Sequence, residues 1–134
     1  MSISNHTPVP IGTLVTRGLG ALVIALLINF VLGWIALSQD LIGSTAFFRY
    51  PAIAVWTSLG IGGATVVYGL LSQRVATPDR TFVRVAAAVL VLSFIPDIAL
   101  LFASESVTTS EAIGLMALHV PPAIVAVLTL PERS

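Results

Sequence analysis

Two ionisable side chains stand inside apolar stretches of this chain: Asp97 in "VLSFIPDIALLF" and His119 in "LMALHVPPAIV". A carboxylate and an imidazole that meet in an apolar setting can hold, share or pass a proton. A neutral Asp97 would donate to His119, or an ionised Asp97 would pair with the imidazolium. Asn29, Ser58, Thr57 and Ser93 carry the further amide and hydroxyl groups from which a network can be built. Ser93 lies four residues before Asp97, on the same helical face. The expected site is therefore a polar cluster of Asn29, Ser58, Ser93, Asp97 and His119, suited to a proton or a small ligand.

Other chemistries fit less well. A Ser/His/Asp triad from Ser58 or Ser93 with His119 and Asp97 lacks a nucleophile elbow or any other supporting motif. A catalytic zinc needs about three protein ligands, and Asp97, His119 and Asn29 are a poor set. The chain has no Cys, which removes disulfides, thiolate metal sites and cysteine nucleophiles. His6 falls in the leading segment, so His119 is the one histidine in an apolar run. One chain thus cannot supply two axial histidines to a haem, although a dimer can, and a single His can hold a chlorin magnesium. "GIGG" at 60–63 sits inside an apolar run rather than after a strand, so it is no phosphate loop. The expectation is no catalytic residue, no metal, and no cofactor that the sequence requires, with His119 the point of attachment if one binds.

Those residues need elements to position them. Of 134 residues, 57% are hydrophobic and 9% are charged, against about 25% charged in an ordinary soluble domain. Four apolar runs, about 19–37, 52–71, 85–102 and 112–130, each approach the ~20 residues that cross a bilayer as a helix. Lipid leaves no unpaired backbone polar group without cost, which demands helices here. The even hydrophobicity argues against the alternation of a β-barrel. Short polar connections imply antiparallel neighbours. The predicted fold is all-α, an antiparallel four-helix transmembrane bundle in one domain, with residues 1–18 a disordered lead-in and 131–134 a tail.

Counting along such helices at 1.5 Å per residue puts Asp97 about 8 Å, His119 about 10 Å and Asn29 about 12 Å from the outer ends of their spans, with Thr57 and Ser58 at about 8 to 9 Å. All four spans thus place a polar residue in one slab of the outer half. Ala21, Ala25, Asn29 and Gly33 form a small-residue stripe in span one, and Ala54, Ser58 and Gly62 form another in span two. If these stripes face each other, Asn29 and Ser58 both point inward. Pro96, Pro121 and Pro122 each remove a helical hydrogen bond beside a polar residue and free a carbonyl about one turn earlier.

All six cations are arginine, balanced by six acids, so charge predicts no nucleic-acid partner. Arg17, Arg74, Arg80, Arg84 and Arg133 would share one side, leaving Arg49 alone on the other, which places both termini in the cytoplasm and the chain in the cell membrane. Trp34, Trp56 and Tyr50 lie where an outer aromatic belt would be. "ALS" at 36–38 resembles a signal-peptidase site, but the first run is longer than a signal peptide's and its lead-in has one cation, so no cleavage is expected.

"TRGLG" before span one, Asn29 within it, "LSFIPDIALL" in span three and "LMALHVPPAIVAVLTLP" in span four resemble a small family of four-span membrane proteins of unknown function, abundant in actinobacteria and related lineages. The resemblance covers roughly residues 15–131. Where that family has small apolar residues after the last-span His, this chain has Pro121 and Pro122. The resemblance implies the architecture and no chemistry. The expected role is a small non-enzymatic membrane protein, an accessory or structural subunit whose partners are the lipid bilayer and other membrane subunits or copies of itself. The alternatives are a proton-coupled small-molecule carrier acting as an oligomer, in which Asp97 cycles its proton, and a haem- or chlorin-binding subunit through His119.

Overall fold

The computed structural model describes residues 7–131, and among them four helices and no strand: α1 (Ile11–Ser38), α2 (Tyr50–Arg74), α3 (Pro78–Ala103) and α4 (Thr109–Thr129). All four are long and apolar enough to cross a membrane. Residues 1–6 of the expected lead-in and 132–134 of the tail, with His6 and Arg133, lie outside the described residues. From Ile11 onward the expected lead-in is helix rather than disordered chain. Pro10 stands at the N-cap of α1, and the helix runs on unbroken through Arg17. Nothing after Pro10 breaks a helix, so the backbone continues to satisfy itself beyond the apolar run.

The other ends also follow from local chemistry. α1 closes with Asp40 at φ 53, where Asp tolerates the left-handed conformation better than most residues. The Leu41 amide then bonds the Ala36 carbonyl at 2.9 Å, and the Asp40 amide bonds that of Leu37 at 3.3 Å. This double closure satisfies carbonyls that the helix end would leave open. α2 and α3 each carry a proline in their first turn, where the missing N–H costs nothing. Thr108 caps α4 by accepting the Glu111 amide at 3.1 Å.

α1 packs on α2 and α4, and α3 packs on α2 and α4. α2 and α4 also touch, whereas α1 and α3 do not. The buried face of α1 is Gly18, Ala21, Ala25, Asn29 and Gly33. Two of its glycines are needed for close approach: a Cβ on Gly18 would lie 2.8 Å from Thr65 Oγ1, and one on Gly33 would lie 2.8 Å from Ile53 Cδ1. Small residues in α1 thus receive larger ones from α2, a knob-in-gap fit that gains dispersion contact. At one end of the bundle Tyr68 and Phe82 meet edge to face, 5.2 Å between ring centres, with Val125, Ala126 and Leu130 also in the core there. At the other end Ile42, Phe48 and Val107 from the connections are buried with Ala112. The outward faces stay apolar, including Leu19, Val23, Leu27 and Val31 on α1 and Val89, Leu92, Ile95 and Phe102 on α3. So extensive an exposed apolar surface suits lipid rather than water.

Candidate functional site

A proline builds the first half of the site. Pro122 has no N–H, so the Leu118 carbonyl one turn earlier has no helical donor. The Asn29 side chain fills that role: Nδ2 donates to the Leu118 carbonyl at 3.0 Å and to Thr57 Oγ1 at 2.9 Å. Because a carbonyl only accepts, this fixes which end of the amide faces α4. α1, α2 and α4 are joined at one point by these bonds. Asn29 is 1% exposed, and its Oδ1 is buried without a hydrogen-bond partner.

The second half lies on the α3 side of α4. His119 Nε2 is 3.0 Å from Asp97 Oδ2, with side-chain exposures of 36% and 9%. The distance is that of an ion pair, yet Oδ2 receives no aligned hydrogen bond. Phe94, one turn before Asp97, lies beside the imidazole with ring centres 6.5 Å apart at 57°. This is the one ion pair among the described residues. No hydrogen bond links it to Asn29 or Thr57, and the helices bearing Asn29 and Asp97 do not touch. The expected single cluster is therefore two polar contacts, one on each side of α4.

Two predicted members fall outside both. Ser58 is exposed, and its hydroxyl donates to the Ala54 carbonyl at 2.7 Å. The inward face of α2 is Ile53, Thr57 and Ile61, so the Ala54/Ser58/Gly62 stripe is turned away from α1 by about one residue, or 100° of helix. The physical reason is the fit just described, in which the α1 gaps accept the larger side chains. Ser93 is half-buried and donates to the Leu90 carbonyl at 2.6 Å instead of to Asp97. A helix carbonyl within reach of a short hydroxyl satisfies it locally.

Sequence reasoning missed Glu111. It is fully buried, and Thr45 in the α1–α2 connection is hydrogen-bonded to its Oε1. Thr45 Oγ1 also accepts the amides of Phe47 at 3.3 Å and Phe48 at 3.0 Å. With its acceptor capacity so used, the hydroxyl proton goes to the carboxylate. Gly114 lies one turn further, where a Cβ would run into Ile42 and come 3.0 Å from Phe48 Cε2. The pattern Thr108-x-x-Glu111 was a visible capping signal, but nothing in it pointed to Thr45. At the opposite end Arg17 Nη1 donates to the Leu130 carbonyl at 3.2 Å, and the Tyr68 hydroxyl donates to Asp79 Oδ1 at 2.7 Å.

Among the described residues no three His, Cys, Asp or Glu side chains gather where one metal ion could be held. A family model described as "Family of unknown function (DUF6069)" matches residues 8–134. Neither the curated proteins nor the solved structures contain a match.

Proposed function

The chain belongs to this family of unknown function, and from its packing we propose that it is a non-enzymatic accessory or structural subunit of a membrane assembly. Its four helices would cross the bilayer antiparallel, with both termini cytoplasmic. Support for the antiparallel course comes from the contacts: Gly18 meets Thr65 while Gly33 meets Ile53, and Arg17 meets Leu130 while Asn29 meets Leu118. The orientation rests on Arg17, Arg74, Arg80 and Arg84 gathering at one end.

One observation carries the subunit reading. α3 buries only Pro78, Phe82 and Asp97 and is the least buried of the four helices, so most of its outward surface is open. A helix held so lightly gains packing from a neighbour, and packing is what drives helix association in lipid. The test is a photo-crosslinking residue at Leu92, which is exposed on α3, at native expression level. A single protein adduct of reproducible mass is expected, twice the chain mass if the neighbour is a second copy. Adducts to lipid alone would remove the proposal.

The Asp97–His119 contact favours a second reading, a proton-coupled carrier in which Asp97 cycles its proton and His119 modulates it. A buried carboxylate 3.0 Å from a partly exposed imidazole can serve as a proton stop, since ionisable groups within spans mark proton relays. Proteoliposomes enclosing a pH dye test it. Asp97→Asn should slow proton entry under an imposed gradient, and equal rates in variant and parent would end this reading.

A further inference from the structure

The Asp97–His119 contact has an outward edge that nothing in the bundle uses. Nε2 is the nitrogen at 3.0 Å from Asp97 Oδ2. Nδ1 makes no hydrogen bond within the described residues, and it is not one of the buried partnerless atoms, so it stays reachable from the surface of the 36% exposed side chain. The Phe94 ring lies beside the imidazole, 6.5 Å between ring centres.

The protonation of Nδ1 follows from charge balance. Among the described residues no other charged group is in ion-pair distance of either residue. A net charge inside a membrane is costly, so the two groups must neutralise each other. Neutrality can be met by a carboxylate with an imidazolium, or by a carboxylic acid with a neutral imidazole. In the first arrangement both nitrogens carry protons. In the second the acid donates to Nε2, which leaves the ring proton on Nδ1. Once a small turn of the imidazole aligns Nε2 with Oδ2, which stand 3.0 Å apart without an aligned hydrogen bond, either arrangement puts one proton between them and a second on Nδ1. The outward edge is a hydrogen-bond donor.

A donor facing hydrocarbon has no water to bond and requires an acceptor dissolved in the membrane. Depth narrows the choice. Asp97 lies about 9 Å from the Ala103 end of α3, and His119 about 15 Å from the Thr109 start of α4. Lipid ester carbonyls stay at the edge of the hydrocarbon, whereas an uncharged flat ring with a carbonyl enters it and can lie against Phe94.

We propose that the α3–α4 surface at His119 and Phe94 binds the carbonyl oxygen of a membrane-soluble quinone through the Nδ1–H of His119, with Asp97 holding the imidazole in the donor form. This rests on the reading of the chain as membrane-spanning, and it is independent of whether a partner subunit binds. It adds a ligand to the bundle without any redox step by the protein.

The test uses the purified full chain in nanodiscs of ether-linked lipid, which has no ester carbonyl, titrated with decylubiquinone. Saturable binding should appear together with a shift of the His119 Nδ1–H signal in protein carrying nitrogen-15 histidine. His119→Phe should weaken binding by about tenfold, the value of one well-made hydrogen bond. Asp97→Asn should bind within about threefold of the parent, because the new amide also donates to Nε2 and leaves Nδ1 protonated. Four results would overturn the proposal: no saturable binding, equal binding by His119→Phe, loss of binding in Asp97→Asn, or a Nδ1–H signal that responds to ester lipid and not to the quinone. The signal in the parent chain decides the matter even if a variant fails to fold. A protein adduct at Leu92 without quinone binding would retain the subunit reading and overturn this one.

Discussion

Replacing Asn29 with leucine tests whether a carbonyl freed by proline holds three helices together. Leucine keeps the volume and removes the donor, so both bonds of Nδ2, to Thr57 and to the Leu118 carbonyl, disappear. Interhelical hydrogen bonds inside membranes are worth roughly 0.6 kcal/mol on average and at most about 1.7. Two of them come to about 1 to 3 kcal/mol, less a fraction regained because the partnerless Oδ1 is removed as well. The net expectation is a loss of about 1 to 2 kcal/mol. The sharper measurement is the same change in a Pro122→Ala background. There the restored backbone N–H at position 122 can bond the Leu118 carbonyl within α4, so Asn29 is no longer its sole donor. The cost of Asn29→Leu should then fall by about 1 kcal/mol, a coupling well above the additivity error of about 0.3 to 0.5. Equilibrium unfolding in mixed micelles gives all four corners of this cycle. Equal costs in the two backgrounds would refute the link from Pro122 through Leu118 to Asn29.

Further outcomes follow from the same geometry. Thr57→Val should destabilise by about 0.6 to 1.7 kcal/mol, while Ser58→Val, on the outward face, should leave the unfolding midpoint unchanged; the reverse order would return Ser58 to the interior. Thr45→Val strips the donor from buried Glu111 and should cost about 1 to 3 kcal/mol, the penalty for an unsatisfied buried acceptor, read as faster amide exchange through residues 42–48. The chain has no Cys, so Ser106→Cys should react with an impermeant thiol reagent in intact cells and Thr77→Cys only after lysis; the opposite pattern would invert the orientation. Chain purified after expression with haem and chlorin supplied tests the cofactor alternative, which requires a visible band that His119→Ala abolishes.

Some of the site was legible because it depends on chain position alone. Asp97 and His119 come together as their depths suggested, since depth is counted along a helix and needs no knowledge of its rotation. The donor at Asn29 was legible for the same reason. Which face of α2 turned inward was not: α2 is apolar around its whole circumference, so its pattern carries little direction, and Thr57 and Ser58 differ by a single residue. The partner of Asn29 was hidden for another reason. It is a backbone carbonyl, and side-chain types do not announce one, although Pro122 was the sign that the Leu118 carbonyl would be free.

The amino-acid order by itself determined four apolar helices with breaks between them, because every backbone group in lipid must bond within its own helix. It also set the polar residues that each helix carries within its apolar run, and the prolines that open carbonyls beside them. Tertiary packing alone decided that Ile53 and Thr65 enter the gaps at Gly33 and Gly18, and thus that Thr57 faces Asn29. It decided that Glu111 reaches Thr45 across the connections. It also divided the polar residues between two sides of α4, because α2 and α4 meet and keep α1 apart from α3. Rotation and contact between helices depend on how side chains of different size interlock, and that is a property of pairs of surfaces rather than of any one stretch of chain.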